Sequence, residues 1–339
     1  MNSKYTRLEE EESELRMLLV GRTGAGKSAS GNTILGIEDK KGFKSDVNAA
    51  AVTKKCEKMK NTEGRRCIAV VDTPGLFDTE LSKEKVIHEI LACMCLSSPG
   101  PHVFLVVLQL GRFTKEEKDT VKLIQETFGE KASEYTMVLF TRGDELEGSI
   151  DDFIRENREL SNFVSQCRGG HHVFNNKNRA DRSQVTELLE KIERMMEANG
   201  GGCFTNNLYP YAKAEIEKKE KMILEKRVKK IYNEQWELER KFQGAELEMQ
   251  KEALWKREKI RAREEAEKDN IVLKNLSIII TSGLGVSAVG ASIAAGVEFG
   301  TAAGLLGGPV GMAVGAGVGA AGGLVVGAVV AADNKCRIQ

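Results

Sequence analysis

Short apolar runs alternate with longer amphipathic stretches between about residues 15 and 199. The apolar runs are rich in Val, Leu and Ile without clean alternation, which is typical of strands covered on both faces of a sheet. We predict strands at Arg16–Val20, Cys67–Val71, Val103–Leu108, Met137–Phe140 and His172–Phe174. We predict helices at Lys27–Leu35, Lys83–Leu96, Lys115–Phe128, Ile150–Cys167 and Arg182–Ala198. This order predicts a doubly wound α/β domain with a mainly parallel sheet, which binds ligands at the carboxyl ends of its strands.

A second region, from about Tyr211 to Asp269, is dominated by Glu, Lys and Arg and contains no Pro and a single Gly. Its apolar positions are spaced alternately by four and three residues, which predicts a long helix with a heptad seam. The seam residues are Leu224, Val228, Ile231, Gln235, Leu238, Phe242, Ala245 and Met249. Two interpretations stay open: a coiled coil with another chain, or a charged helix that folds back on the first domain or stands alone as a stalk.

The last region is rich in Gly and Ala, and both Leu276–Val297 and Phe299–Ala332 lack charged residues. Each is long enough to cross a membrane, which takes about 20 residues. Small residues recur every fourth position, as in helices that associate in lipid. Basic residues flank the pair, so we expect a helical hairpin with both ends in the cytosol. The alternative is a flexible or soluble Gly/Ala segment.

Composition narrows the possible function only slightly. The net charge is zero, so no overall positive field favours nucleic acid as a partner. The seven cysteines show no paired spacing, and we expect them to be reduced thiols in a cytosolic protein. The N-terminus is acidic and lacks the apolar stretch of a signal peptide, which leads us to expect the first domain in the cytosol.

The strongest motif follows the first predicted strand. Residues 21–28 read GRTGAGKS and match the phosphate-binding pattern G-x-x-x-x-G-K-[ST] at every fixed position. Its glycines let successive backbone N–H groups point at phosphate oxygens, Lys27 supplies positive charge, and Ser28 coordinates Mg²⁺. The predicted nucleotide-binding residues here are Gly21, Arg22, Thr23, Gly24, Ala25, Gly26, Lys27, Ser28 and Ala29. The loop by itself does not distinguish ATP from GTP.

A second motif, Asp72-Thr-Pro-Gly75, ends the second predicted strand. We expect Asp72 to hold Mg²⁺ through water and the Gly75 N–H to contact the γ-phosphate, so that the following loop responds to hydrolysis. A further metal ligand is expected from the polar stretch 43–56. Thr53 is our choice and Ser45 the alternative.

The stretch Phe140-Thr-Arg-Gly-Asp-Glu145 is the candidate base reader. Guanine offers two adjacent donors that one carboxylate can accept, and adenine does not; we assign this role to Asp144. The planar guanidinium of Arg142 is suited to stacking on a base, and the Thr141 hydroxyl can link neighbouring loops.

Taken together, these stretches resemble the GIMAP family, the GTPases of immunity-associated proteins. The matching stretches are GRTGAGKSASGNTILG (21–36), AVTKKC (51–56), VVDTPGLFDTE (70–80), GPHVFLVVLQLGRFTKEE (100–117), FTRGDEL (140–146) and HHVFNNK (171–177). The resemblance covers about residues 15–205. It implies a Ras-like P-loop fold with extra helices, Mg²⁺ with GTP or GDP, and nucleotide-dependent pairing of the GTPase domains. It also implies that Asn176 lies near the base.

Hydrolysis is expected to be slow, because Leu76 and Phe77 follow Gly75 and no Gln is present there to orient water. The candidate catalytic residues are Lys27, Thr53 and Arg112. Arg112 would act on the nucleotide of a second chain, across a dimer. The alternative for Arg112 is a surface residue that contacts carboxylates.

We therefore expect four segments: an acidic tail (1–14), a GIMAP-type domain (15–205), a charged helical region (206–270) and a membrane hairpin with a short tail (271–339). The favoured function is a GTPase that assembles on the cytosolic face of an intracellular membrane, as a homo- or hetero-oligomer with family members. The alternative is a GTP-loaded membrane scaffold whose hydrolysis is incidental.

Overall fold

The computed structural model describes residues 14–38, 40–44, 55–63, 66–75, 83–111 and 113–281. The strands are β1 (Glu14–Val20), β2 (Glu57–Glu63), β3 (Arg66–Asp72), β4 (Val103–Gln109), β5 (Thr136–Thr141) and β6 (His171–Val173). The helices are α1 (Lys27–Leu35), α2 (Lys83–Leu96), α3 (Lys115–Phe128), α4 (Ile150–Glu156), α5 (Arg158–Ser165), α6 (Ser183–Ala198), α7 (Tyr209–Lys241), α8 (Gly244–Glu267) and α9 (Asn270–Thr281). Short 3-10 helices span Glu130–Tyr135 and Gly143–Glu145.

The six strands form one sheet in the order β2-β3-β1-β4-β5-β6. Every neighbouring pair is parallel except β2 with β3. Alternate residues of β1 face opposite sides. Met17 and Leu19 belong to the core beneath α1 and α6, whereas Leu18 and Val20 belong to the core shared with α2, α3 and the C-terminal helices. The predicted α/β class with a mainly parallel sheet is confirmed.

Three helices begin and end where the sequence pattern predicts, namely α1, α2 and α3. The predicted helix Ile150–Cys167 is instead two helices that meet at Asn157. The Asn157 side chain accepts hydrogen bonds from the backbone N–H groups of Glu159 and Leu160, and it therefore caps the start of α5. Because an Asn inside an amphipathic pattern can either stay in the helix or cap a new one, periodicity alone missed this break.

The sequence pattern also missed β2, whose sequence is EKMKNTE. Within the part of the chain that the structure describes, this strand lies at the edge of the sheet and pairs with β3 alone. Charged edge strands of this kind resist pairing with other chains, and they lack the apolar run that marks a central strand.

The charged region forms two helices, α7 and α8, that pack against each other in antiparallel directions, rather than one long helix. Residues Phe242 and Gln243 interrupt it, and Gly244 has a φ of +61° at the start of α8. The predicted heptad seam does not continue through this break: Ile231 is buried, whereas Met249 is 61% exposed. The prediction of a single seam was wrong, and the interpretation in which the region folds back on the first domain fits the described helices.

Buried ion pairs fasten this helical region to the sheet. Lys58 on β2 lies 3.2 Å from Glu267 at the end of α8 and 3.3 Å from Glu14 on β1. All three side chains are largely buried. Within the helical hairpin, Arg227 of α7 contacts Glu258 of α8 at 3.5 Å. Because burial removes the charges from water, each of these groups depends on its partner.

Two further expectations meet the structure at this level. Among the described residues, no helix has both the length and the apolar character needed to cross a membrane. The first six residues of the predicted span Leu276–Val297 belong to α9. The rest of that span, and the whole of the predicted span Phe299–Ala332, lie outside the described residues. A disulfide joins Cys56, just before β2, to Cys93 on α2, so the expectation of reduced thiols is wrong for this pair.

Candidate nucleotide-binding site

The loop Gly21–Ser28 connects β1 to α1 at the carboxyl edge of the parallel strands. Gly24 and Gly26 have φ values of +82° and +96°, in the left-handed region that favours glycine. At Gly21, a Cβ atom would lie 2.6 Å from the backbone oxygen of Val107 on β4. The motif glycines are therefore required both by the turn of the loop and by its close approach to the neighbouring strand.

Lys27 opens α1 and turns back over the loop. Its Nζ donates hydrogen bonds to the backbone oxygens of Gly21 at 2.8 Å and Arg22 at 2.9 Å. The residue is buried. These contacts hold one positive charge beside the backbone N–H groups of the loop and the N-terminus of α1, an arrangement suited to phosphate.

Ser28 and Asp72 lie side by side although they are 44 residues apart in sequence. The Ser28 hydroxyl donates to Oδ2 of Asp72 at 2.6 Å, and Asp72 is buried at the end of β3. The next residue, Thr73, donates to the backbone oxygen of Leu19 at 2.8 Å and so fixes this strand end against β1. A hydroxyl and a carboxylate in contact are oxygen ligands of the kind that Mg²⁺ prefers, so the residues present fit this ion. Gly75 is the last described residue after this strand.

Thr141, at the end of β5, joins three segments of the site. Its hydroxyl lies 2.8 Å from the backbone oxygen of Ala25 and 3.3 Å from that of Leu108. A Cβ added to Gly26 would lie 3.1 Å from the Thr141 methyl group, so the phosphate loop packs directly on this side chain. Thr141 thus connects the loop to two neighbouring strand ends.

Asp144 forms an ion pair across the site. Its Oδ2 accepts a hydrogen bond from Nζ of Lys177, on the loop after β6, at 2.6 Å. This hydrogen bond lowers the pKa of Asp144 below its usual range. A carboxylate that stays ionised is the form that accepts two donors, as the guanine edge requires.

Arg142 adopts the left-handed conformation with a φ of +64°. Its guanidinium lies 3.5 Å from the carboxylate of Glu145 and beside the side-chain amide of Gln109. Its side chain is about half exposed. The planar group is therefore held at its edges at the rim of the site.

Asn176 connects the loop after β6 to the helix that follows the phosphate loop. Its Oδ1 accepts from the Thr33 hydroxyl at 2.7 Å, and its Nδ2 donates to the Ser30 hydroxyl at 3.1 Å. The Gly143 N–H also donates to the backbone oxygen of Phe174 at 2.9 Å. These bonds join the candidate base-reading segment, the loop after β6 and α1 into one structure.

The remaining predicted residues divide into two groups. Arg22, Thr23, Ala25 and Ala29 lie in the phosphate loop or the first turn of α1, beside the residues above. The other group, Thr53, its alternative Ser45, and Arg112, lies outside the described residues. Sequence reasoning overlooked Lys177, Thr33 and Ser30. The sequence Asn175-Asn176-Lys177 alone does not show which side chain reaches Asp144.

The model of the AIG1 family matches residues 15–223, which include the whole of the site described above. The chain belongs to the AIG1 family. The GIMAP resemblance predicted from the sequence motifs is thereby confirmed, and curated relatives agree with it. GTPase IMAP family member 8 from Homo sapiens is 39% identical over 198 residues, covering 57% of this chain and 29% of that protein. Immune-associated nucleotide-binding protein 3 from Arabidopsis thaliana is 38% identical over 221 residues, covering 62% of this chain and 65% of that protein.

This AIG1-family chain thus spans less than two thirds of the length of these relatives. Among solved structures, Toc33 from Arabidopsis thaliana in complex with GDP and Mg²⁺ is similar, with 17% sequence identity and a TM-score of 0.42. The likeness covers 57% of this chain and 89% of that one.

Proposed function

We propose that this chain binds GTP and GDP with Mg²⁺ and hydrolyses GTP. The observation that carries the proposal is the complete phosphate loop, with buried Lys27 beside its backbone and with Ser28 in contact with Asp72. Lys27 would neutralise the β- and γ-phosphates, and Ser28 and Asp72 would hold the metal, with Thr53 as a further ligand. Bound Mg²⁺ would supply charge neutralisation for the transferred phosphoryl group.

Selection of guanine is assigned to Asp144. Its ionised carboxylate lies on the segment that Gly143 joins to the loop after β6. Arg142 and Thr141 would support the base and the loop without distinguishing guanine from adenine. Equilibrium titration with fluorescent GTP, GDP and ATP analogues tests this assignment: binding of the guanine nucleotides alone is expected, and equal affinity for ATP would contradict it.

Hydrolysis is proposed to be slow in the monomer and faster when two GTPase domains pair. The residues after Gly75 include no Gln to orient water, so the monomer lacks a common catalytic group. Arg112 from a second chain is the proposed charge stabiliser. Single-turnover hydrolysis measured at increasing protein concentration tests this idea, because the rate per molecule should rise as dimers form. An Arg112→Ala variant with an unchanged dependence would remove Arg112 from the mechanism.

A second candidate function is a GTP-loaded scaffold whose hydrolysis is incidental. The same absence of Gln after Gly75 favours it. The single-turnover experiment separates the two functions, since a scaffold gives a negligible rate that does not change with concentration.

We further propose that the chain is attached to the cytosolic face of an intracellular membrane through residues 276–332. The support is the sequence, in which Glu298 is the only charged residue of this range. Carbonate extraction of membranes from cells expressing the full chain should leave the protein in the pellet. A Val325→Lys and Val326→Lys double variant should be extracted more readily, whereas the corresponding Ala variant should not. Full extraction of the unaltered chain would contradict the attachment.

A further inference from the structure

The outward face of α7 carries a line of large apolar and basic side chains, which we name the outer stripe. Its members are Tyr211, Lys218, Met222, Lys229, Tyr232, Trp236 and Arg240. At 100° per residue, these positions fall within roughly 80° of the helix circumference. The apolar members are exposed: Tyr211 by 42%, Met222 by 45%, Tyr232 by 61% and Trp236 by 60%. Single exposed apolar residues are ordinary, but a line of them along one helix face indicates a binding surface.

The buried residues of α7 lie on the opposite side of the helix and pack toward α2, α8 and α9; they include Ala212, Ile216, Ile223 and Ile231. Along the stripe, Arg240 places its Cζ atom 5.3 Å from the centre of the Trp236 ring. Helical spacing places the acid Glu225 on this face and the acids Glu215 and Glu239 about 20° beyond its two edges. Glu239 lies 2.7 Å from Lys251 of α8. The half of the stripe that contains Tyr232 and Trp236 therefore carries the basic charges of Lys229 and Arg240, and the acid at its edge, Glu239, is paired with a lysine of α8.

Exposed Trp and Tyr combined with Lys and Arg suit the boundary between lipid headgroups and acyl chains. The aromatic rings prefer the headgroup level, and the cations are attracted to anionic lipid. The same residue types also occur in protein interfaces. The position at which the chain leaves the described structure distinguishes these two partners.

The stripe lies beside α9, the last described helix. Asn275 on α9 donates to the carboxylate of Glu215 on α7 at 2.7 Å, and Lys219 on α7 lies 2.7 Å from Asp269. The outward residues Ile271 and Ile278 of α9 are 59% and 54% exposed. The chain then continues from Thr281 into the segment whose only charged residue before Asp333 is Glu298. The most apolar part of the sequence thus begins next to the first turns of the stripe.

We propose that the outer stripe of α7 rests on an anionic lipid surface, with Tyr232 and Trp236 at the headgroup level. This inference depends on the proposed membrane attachment and adds a second contact to it. It makes α7 the element that sets the orientation of the GTPase domain relative to the bilayer.

The chain contains only two tryptophans, which allows a direct test with the full-length protein. A Trp255→Phe variant leaves Trp236 as the only tryptophan. On vesicles of phosphatidylcholine and phosphatidylserine that contain brominated lipid, its fluorescence should shift to the blue and be quenched. The matched Trp236→Phe variant leaves the half-buried Trp255 on α8, and its fluorescence should not be quenched.

Charge dependence provides the second readout. Lys229 and Arg240 are replaced together with Gln, and quenching of Trp236 is followed as the fraction of anionic lipid rises. The affinity for the vesicles derived from this quenching should fall by about fivefold for each charge removed. The same change at the exposed residues Lys256 and Lys259 of α8 should have no effect.

Vesicle flotation of the same samples separates failure of the stripe from failure of the attachment. Protein that floats with vesicles without quenching of Trp236 would overturn the stripe contact and leave the attachment intact. Protein that neither floats nor shows quenching would overturn both. A blue shift that depends on protein concentration in the absence of vesicles would identify a second copy of the chain as the partner and would also overturn the lipid contact.

Discussion

The phosphate-binding end of the sheet and the helical hairpin α7–α8 are held together by different kinds of interaction. At the phosphate end, backbone geometry and neutral hydroxyls dominate, as with Thr141 on the Ala25 oxygen and Thr73 on the Leu19 oxygen. At the hairpin, long charged side chains bridge separate elements, as with Lys58 and Glu267. The first arrangement follows from the order of strands in a parallel sheet, whereas the second depends on particular pairs of side chains. The two regions should therefore respond differently to substitution.

The largest expected effect is at the phosphate loop. Lys27→Met should weaken GTP about 100-fold, since charge-assisted hydrogen bonds contribute about 1.5 to 3 kcal/mol each and the lysine has more than one such donor. The thermal stability of the protein should change little by comparison. Isothermal titration with GTP provides the measurement, and Lys259→Met, an exposed lysine on α8, is the matched control. An unchanged affinity in Lys27→Met would remove this lysine from the site.

The next effect concerns the stability of the protein in acid and depends on Glu14 of β1, which pairs with the lysines of β2. Burial alone would raise the pKa of Glu14, but Lys58, Lys60 and Arg16 outweigh it and lower the pKa from 4.5 to about 2. A lowered pKa in the folded state means that the stabilisation is present above pH 4.5 and is lost as the pH falls toward 2. The shift corresponds to at most about 3 kcal/mol of the free energy of unfolding.

Glu14→Gln should accordingly lower the free energy of unfolding at neutral pH and flatten its dependence on pH in the acidic range. Urea unfolding at several pH values measures this dependence. Glu57→Gln, an exposed residue at the start of β2, should retain the slope of the unaltered protein. Parallel curves for Glu14→Gln and the unaltered protein would show that the carboxylate is not ionised by its lysine neighbours.

At the base-reading end, Asp144→Asn should weaken GTP by about 10- to 100-fold, because the two donors of guanine lose an ionised acceptor. Xanthosine triphosphate should gain affinity in the same variant, since its altered base edge matches an amide. Arg142→Lys is the comparison and should have a mild effect, because the residue lies at the rim. Equal losses from both substitutions would contradict the separate roles assigned to them.

The smallest effect is expected from the hairpin side of the comparison. Glu267→Gln removes one partner of Lys58, which keeps its contact with Glu14. The free energy of unfolding should fall by about 1 to 2 kcal/mol while GTP affinity stays unchanged. Differential scanning calorimetry and nucleotide titration measure the two quantities, with the exposed Glu246→Gln as control. A parallel loss of GTP affinity would show that the two regions are coupled.

The sequence predicted the elements that carry a strong local pattern. The apolar runs of β1, β3, β4 and β5 and the amphipathic α3, with Thr114 and Glu117 forming a capping box at its start, needed no information from distant residues. The polar edge strand β2 has no such pattern. Lys58 on this strand is held by ion pairs with Glu14 and Glu267, and both partners lie far away along the chain.

The site divides in the same way. The phosphate loop and Asp72 could be assigned from spacing, because a parallel sheet brings its strand ends together. The pairing of Lys177 with Asp144 could not, since it depends on how two loops approach each other. The heptad spacing of the charged region was misleading for a related reason. Gly244 and the two residues before it allow a turn, and packing of the two halves on each other and on α2 then favours two shorter helices over one.

The bridge from Asn176 to Thr33 and Ser30 has a consequence for ligand size. It joins the loop beside the candidate base reader to the helix that begins at the phosphate loop, so the span between the two ends of the site is set by covalent structure and hydrogen bonds. For a nucleotide that binds as proposed, this fixed span selects the distance between the base and the phosphates. A molecule with the correct base and the correct phosphates, separated by a different length, would reach only one end of the site.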